Sequence, residues 1–340
     1  MKVGLADLPS EPKVPLPNYL LNLIDEKDSK EKSIYLINVE GFIKEIWEDI
    51  KKVKKRPSIR KLISEKLEIS VDFFYKCKNG KKKISITLLF KLLQLWKVIC
   101  HKTEKELERK WNEIFKSEIR FCTHGRTQKT KLPKYITPKL CYFVGWIVGD
   151  GSLSQQHGFY SIKISEKNKH QLDLVLKPLI KDLFGINVPI FRADGRGHRI
   201  QFGNKIVHRF LTKILKIKVG KIPSFIKKLD ITNKKYFLRG IFDSEGYVSK
   251  NRNRLTISQA NLSFLKELIK MLKEMDIFPN GPIIHRSKRG IWYSTKIDNK
   301  KEFIKFSKKI SSSHVEKFKL IQMRVMKIEN GNSRSSATLG

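Results

Sequence analysis

Two short segments place an acid where it could do chemistry. The first reads Phe143-Val-Gly145-Trp-Ile-Val-Gly149-Asp150-Gly151 and the second Leu238-Arg-Gly240-Ile-Phe-Asp-Ser244-Glu245-Gly246. Small residues four apart (Gly145 and Gly149; Gly240 and Ser244) fall on one face of a helix, where two backbones can approach more closely than larger side chains permit. Glycine inside a soluble helix costs up to about 1 kcal/mol, so the spacing asks for a packing partner. If the two faces meet, Asp150 and Glu245 end side by side, just before C-cap glycines Gly151 and Gly246. Two carboxylates at helix C-termini oppose the helix dipoles and repel each other. A divalent cation removes both penalties. A shared Mg²⁺ (or Mn²⁺) site for in-line phosphodiester hydrolysis is the chemistry the pair suits, with Asp150, Glu245, Gly151 and Gly246 as candidate metal-binding positions. Either segment alone reads as a capped helix end with a solvated acid; two in register favour the paired site.

The elements that must hold these acids repeat along the chain. The first copy reads as helix 138–149, Gly-Asp-Gly, strand 160–165, helix 169–184, strand 188–192, a Gly-rich turn, strand 198–202 and helix 204–215. The second reads as helix 234–244, Glu-Gly, strand 254–258, helix 262–275, strand 282–286, a turn at 288–290, strand 291–297 and helix 299–310. Glu245 follows Asp150 by 95 residues, Asn299-Lys300 follows Asn204-Lys205 by the same interval, and Arg289-Gly290 follows Arg196-Gly197 by 93. The expected fold is α+β, a duplicated αββαββα unit with antiparallel sheets.

Upstream, residues 1–33 carry four prolines before residue 20 and read as a leader or arm. Residues 34–119 are helical in pattern, with Phe42, Ile43, Ile46, Trp47 and Ile50 at three- and four-residue spacing, and are expected to form an all-α domain. Residues 120–137 are basic, contain Pro133 with Pro138 just beyond, and read as a linker. Repeat 1 is expected over 138–220, repeat 2 over 221–328, and a disordered tail over 329–340. Within the helical domain, Leu62 to Phe90 resembles the repressor-type helix-turn-helix, with a turn near Glu68–Ser70 and a second helix near Val71–Lys78. That resemblance implies a groove-reading helix bearing Lys76 and Lys78, with Lys81, Lys82 and Lys83 on phosphates; a plain bundle that braces the rest is the alternative.

Charge narrows the partner. The 340 residues hold 71 Lys and Arg against 33 Asp and Glu, a formal net charge of +38. Such a field repels itself unless a polyanion neutralises it, and each Lys or Arg set on a phosphate releases a counterion. Nucleic acid is favoured over an anionic membrane surface, since no apolar run is long enough to span a bilayer and the N-terminus is not a signal peptide. The four cysteines lack metal-ligand spacing and read as free thiols of a reducing cytosol; a nucleoid-associated cytoplasmic location is expected. Lys- and Ile-heavy usage would suit a thermophile.

The paired acid segments resemble the two dodecapeptide motifs of single-chain LAGLIDADG (DOD-type) homing endonucleases, over about residues 138–325. The resemblance implies that Asp150 and Glu245 are the essential acids and that the sheets form a saddle over the major groove. It also implies that a monomer of pseudo-twofold symmetry makes a Mg²⁺-dependent double-strand break with short 3′ overhangs in a long duplex, as in intron homing. Members of that family carry a basic or polar residue per repeat after the second strand, which points to Lys167 and, in the second copy, Gln259. The sequence departs from the motif at Val148, where an acid is usual and Asp243 keeps one, and at Arg239 in place of a small residue.

Strand alternation assigns the groove-facing positions. Arg199 and Gln201 oppose Ile200 and Phe202. Arg254, Thr256 and Ser258 oppose Leu255 and Ile257. Trp292, Ser294 and Lys296 oppose Ile291, Tyr293, Thr295 and Ile297. Arg192, Arg196, Arg252, Arg286 and Arg289 complete the expected DNA-binding set; a solvated outer face is the alternative for any one of them. The chain opens on Met1 without a Cys or Ser nucleophile and ends without His-Asn, so a free-standing enzyme is expected rather than an intein. A catalytically silent DNA-binding regulator and an RNA maturase acting on intron RNA remain open as alternatives.

Overall fold

The computed structural model describes Val14, Pro15, Leu23 and residues 34–54, 56–116, 119–123, 129–193, 195, 197–288 and 290–336. Most of the expected leader lies outside these residues. One piece of it is placed: β1 (Val14–Pro15) pairs antiparallel with a strand at Tyr135–Ile136, and Leu23 is buried.

The N-terminal unit begins with β2 (Ile34–Ile37), then α1 (Glu40–Val53), α2 (Arg56–Lys66), α3 (Val71–Lys78), β3 (Ile84–Ser85), α4 (Ile86–Ile99), α5 (Glu104–Lys116) and β4 (Arg120–Thr123). Helix α1 buries Ile43, Ile46, Trp47 and Ile50, the stripe its periodicity dictates. Between α2 and α3 the chain turns through Glu68 at φ 58°, and Ser70 caps α3 by accepting from Phe73 N at 3.2 Å. The all-α expectation is corrected, because β2 is the middle strand of a three-stranded antiparallel sheet in the order β3-β2-β4. Residues 120–123, assigned to a linker, supply β4 of that sheet. β5 (Tyr135–Ile136) leads into the second part of the chain.

Two αββαββα units follow. The first comprises α6 (Pro138–Asp150), β6 (Gly151–Gln156), β7 (Phe159–Glu166), α7 (Lys169–Gln171), a π-turn at Leu172–Leu176, and α8 (Lys177–Phe184). It continues through β8 (Ile190–Ala193), β9 (Gly197–Gly203), α9 (Lys205–Arg209) and a π-turn at Phe210–Ile214. A short α10 (Ser224–Lys227) connects to the second unit, which holds α11 (Ile231–Glu245), β10 (Gly246–Val248), β11 (Leu255–Gln259), α12 (Leu262–Glu274), β12 (Asn280–Ser287), β13 (Gly290–Ile297) and α13 (Lys300–Lys309). Both sheets are four-stranded and antiparallel with matching order, β6-β7-β9-β8 and β10-β11-β13-β12. Ile162, Ile164 and Ile200 of the first sheet, and Leu255, Ile257 and Ile297 of the second, face the helices and are buried.

α6 and α11 form the seam between the units, and most of α6 is buried. A Cβ on Gly145 would stand 2.9 Å from Gly240 Cα, and one on Gly240 would stand 3.0 Å from Gly145 Cα. Gly151 (φ −80°, ψ 159°) and Gly246 (φ −79°, ψ 153°) are the C-caps, as expected; both are extended, and each helix runs straight into a strand. Glycine is required there by space, since a Cβ on Gly151 would lie 2.6 Å from Ile147 Cα and one on Gly246 2.6 Å from the Phe242 ring.

Two strand faces differ from their expected alternation. Ser294 is buried, hydrogen-bonded to His285 across the β12–β13 hairpin at 2.7 Å, whereas Ile291 is 51% exposed near the hairpin turn, beyond the helices that cover the rest of the strand. At the end of the chain, α14 (Val315–Ser336) carries the fold beyond α13 and replaces a tail with a helix as far as Ser336.

The seam gives a direct stability test. Gly145→Ala and Gly240→Ala should each cost about 1–3 kcal/mol in urea denaturation, because the helices must separate to admit the methyl. Gly41→Ala in α1, where a Cβ meets nothing within 4 Å, should be neutral or stabilising by up to about 1 kcal/mol.

Candidate functional site

Helix starts fix the direction of both acid-bearing helices. Thr137 caps α6 by accepting from Leu140 N at 3.2 Å, with Pro138 behind it, and Asp230 caps α11 by accepting from Asn233 N at 2.7 Å. Beyond the glycine contact the helices stay close as far as their C-termini. A Cβ on Gly149 would stand 3.1 Å from Ser244 Cβ and 3.2 Å from Glu245 Cγ. Asp150 and Glu245 thus end together, as the small-residue spacing requires.

Their electrostatics show the cost of that proximity. Asp150 keeps solvent access on one side, yet desolvation on the other, then the charges of Glu245 and Glu166, push its carboxyl up to about 7, against the pull of Lys317. Glu245 is also raised, chiefly by desolvation. The Gln259 amide opposes that rise by facing Glu245, although its Nε2 makes no bond of full hydrogen-bond geometry. Lys317 opposes it as well.

Asp243, two residues before Glu245, turns inward and is fully buried. It accepts from Tyr142 OH at 2.7 Å, from Ser313 N at 2.8 Å and from Ser312 Oγ. Burial raises its pKa against these bonds. The acid kept in the second motif therefore ties α11 to α6 and to residues 312–313. In the first motif Val148 occupies the matching place in the apolar seam.

Sheet register corrects one assignment. Gly151 pairs with Ile164 and Gly246 with Ile257, so Gln259 corresponds to Glu166, two residues beyond each pair, and not to Lys167. Lys167 is exposed, and neither acid's shift involves it. Glu166 stands nearer the pair. Burial works to raise its carboxyl, but the His314 imidazole (Nε2 to Oε1 3.7 Å), the Asn168 N–H at 2.9 Å and the charge of Lys317 outweigh it and hold it low. Glu166, His314 and Lys317 escaped the sequence reading. Glu166 lay one position from the residue chosen, while His314 and Lys317 follow the last repeated helix and carry no spacing signal.

An open cavity of about 980 Å³ joins the two units, lined by Asp150, Lys163, Ser165, Arg199, Tyr247, Lys250 and Lys317 among others. On the sheets, Arg199 lies opposite Ser165, Gln201 opposite Lys163, and Lys296 opposite Thr256, all half-buried. Arg254 stands just ahead of its strand and is paired with Asp298 at 3.4 Å. Arg192, Arg252 and Arg286 are exposed, and Trp292 stacks on His285 with ring centroids 5.2 Å apart. Arg196 and Arg289 lie outside the described residues. In the N-terminal unit Lys76 is exposed and paired with Asp72 at 2.6 Å, Lys78 lies over the Tyr75 ring, and Lys81, Lys82 and Lys83 are exposed in the following turn. These lysines stand apart from the acid pair.

Among the described residues, no group of three or more His, Cys, Asp or Glu is arranged to hold a metal ion. The donor set is two carboxylates, which matches Mg²⁺, an ion commonly held by one or two carboxylates with water and substrate phosphate oxygens filling the remaining positions. The four cysteines are free, and no described helix is long and apolar enough to cross a membrane.

Residues 232–311 match a family profile described as a LAGLIDADG-like domain. The chain is 27% identical over 216 residues to a glutamine–fructose-6-phosphate aminotransferase of Methanocaldococcus jannaschii, covering 61% of this chain and 19% of that protein. It is 27% identical over 180 residues to an uncharacterised protein of the same organism, covering 51% of this chain and 62% of that one. Among solved structures, the homing endonuclease I-DmoI in complex with DNA and Mn superposes with a TM-score of 0.41 at 19% identity, covering 51% of this chain and 96% of that one.

The raised Asp150 carboxyl makes stability depend on pH. The folded state holds the proton to about 7 while the unfolded chain releases it near 4, so stability falls as pH rises between those values and then levels off. Without divalent ions, Asp150→Asn should flatten that slope and gain on the order of 1 kcal/mol at pH 8, solvent access at Asp150 reducing the full effect. Urea denaturation at pH 4.5 and 8 in EDTA measures it; an unchanged slope in the variant contradicts the assignment.

Proposed function

We propose that this protein is a site-specific DNA endonuclease that uses Mg²⁺ or Mn²⁺ to cut both strands of a long duplex target. The observation that carries the reading is the convergence of Asp150 and Glu245 at the ends of two helices packed through Gly145 and Gly240, inside a chain of net charge +38. One acid per unit, beside a cavity lined by basic residues of both units, suits a duplex whose two scissile phosphates are related by a twofold axis. The bound ion would neutralise the phosphate and activate water for in-line attack. Asp150 and Glu245 would hold it, the carbonyls of Gly151 and Gly246 being the nearest backbone oxygens along the chain. Gln259, facing Glu245, orients water on its side; Glu166 takes that position on the other.

Arg199, Gln201, Lys296, Arg192, Arg252, Arg254, Arg286 and Trp292 would face the major groove, the sheets forming a saddle over it. Arg196 and Arg289 are proposed to join them on sequence grounds alone. The α2–α3 pair, with its four-residue connection and exposed Lys76, Lys81, Lys82 and Lys83, fits a helix-turn-helix that extends the footprint. The protein would act as a monomer, its two units replacing two subunits. A DNA-binding protein without cleavage is the second reading, since the two units differ at the acids: Glu166 and Lys167 line the cavity beside Asp150, while neutral Gln259 faces Glu245.

Cleavage of a supercoiled plasmid carrying the gene's flanking sequence tests both. With Mg²⁺ the wild type should give linear product, and Asp150→Asn or Glu245→Gln should slow it by more than about a hundredfold, a loss of roughly 3 kcal/mol of transition-state stabilisation. Retarded but intact DNA with Mg²⁺ and with Mn²⁺ supports the silent binder.

A further inference from the structure

Lys317 stands in the first turn of α14, outside both repeated units, yet its Nζ reaches the acid-bearing seam. It donates to Phe242 O at 3.1 Å, which also accepts from the cap N–H of Gly246, and to Asp243 O at 2.6 Å, both carbonyls of the last turn of α11. A cation there also meets the negative end of the helix dipole. In the first unit the carbonyl of Val148, the counterpart of Asp243, accepts instead from Gly220 N at 2.9 Å. A neutral peptide group serves α6 where a full charge serves α11.

The ammonium cannot easily leave. Asn168 Nδ2 donates to Glu316 Oε1 at 2.8 Å, Val315 N donates to Gln171 Oε1 at 3.3 Å, and Ser312 and Ser313 are bonded to Asp243. These contacts pin the start of α14 against both units. Burial lowers the Lys317 pKa, and four acids oppose that from the surrounding elements, Asp243 and Glu245 of α11, Glu166 of β7 and Asp150 of α6. Lys167, by contrast, is exposed.

We propose that Lys317 is the built-in counter-cation of the acid pair, a positioning residue that keeps Asp150 and Glu245 together until a divalent ion takes over that role. The inference deepens the metal-site reading, which supplies the later ion. Once Asp150 is ionised, two partly buried carboxylates forced together at helix ends need a positive charge whether or not a metal is bound. Lys317 supplies it before the metal does, and it does so from one side only, so the two halves of the site are electrostatically unequal.

Thermal unfolding of the full chain at pH 8.5 tests this in EDTA and in 10 mM Mg²⁺. Lys317→Met keeps the stem and removes the charge, and should lower Tm by about 5–10 °C in EDTA. At least half of that loss should return when Asp150→Asn and Glu245→Gln are added, because the uncompensated charges are then gone. Should Lys317→Met alone fail to fold, folding of the triple variant supports the proposal equally. A loss of the same size with the acids neutralised, or a triple variant that also fails to fold, overturns it and leaves Lys317 a helix cap only. Saturating Mg²⁺ should likewise restore Lys317→Met. If neutralising the acids restores it and Mg²⁺ shifts no variant, the counter-cation role stands and the metal-site reading falls.

Discussion

The close contact of two helices at Gly145 and Gly240 is the constraint on which the rest of the molecule depends. With a Cβ of either glycine about 3 Å from the opposite Cα, α6 and α11 approach as no pair of larger residues would allow. Each helix must then end without a conventional turn. Gly151 and Gly246 pass directly into β6 and β10, so the first strand of each sheet begins at the acid. One packing contact thereby fixes the separation of the acids and the place where both sheets start. The +38 charge of the chain could be met by any polyanion; it is this seam that sets two acids between two basic sheets.

Bringing acids together is unfavourable, and the surrounding structure offsets it unevenly. Asp150 and Glu245 are both pushed toward protonation by desolvation, Asp150 also by its acidic neighbours. Against this stand Lys317 on one side and the Gln259 amide on the other. Asp243 takes a different part, its carboxyl spent on Tyr142, Ser312 and Ser313. That network docks the start of α14 on the seam and brings His314 to Glu166. Residues beyond the last repeated helix therefore belong to the site's electrostatics, and the two halves, alike in topology, differ in charge: Glu166 with His314 in one, Lys317 on the end of α11 with neutral Gln259 in the other.

The seam was legible in the sequence because its cause is local. Small residues four apart, an acid and a glycine can be read from nine positions, and the 95-residue interval relates one set to the other. Strands β6 and β10 were not. β6 is largely exposed and lacks an apolar alternation, and no turn residue separates either strand from its helix. The N-terminal sheet was hidden for another reason: β3 has two residues, and β4 pairs with a strand more than 80 positions earlier. The sequence points to Lys167 rather than Glu166 because in a strand a shift of one residue changes which face a side chain occupies, and only cross-strand pairing fixes that register. Lys317 and His314 reach the acids through tertiary docking alone, which no periodicity announces.

Anomalous diffraction from crystals of the metal-soaked protein tests the central claim most directly. Collected with Mn²⁺ above pH 8, where the Asp150 carboxyl is ionised, the map should show manganese within coordination distance of carboxylate oxygens of Asp150 and Glu245. Manganese absent from that position, or bound elsewhere with the two carboxylates turned apart, would contradict the account of the helix seam as a device for holding a divalent ion.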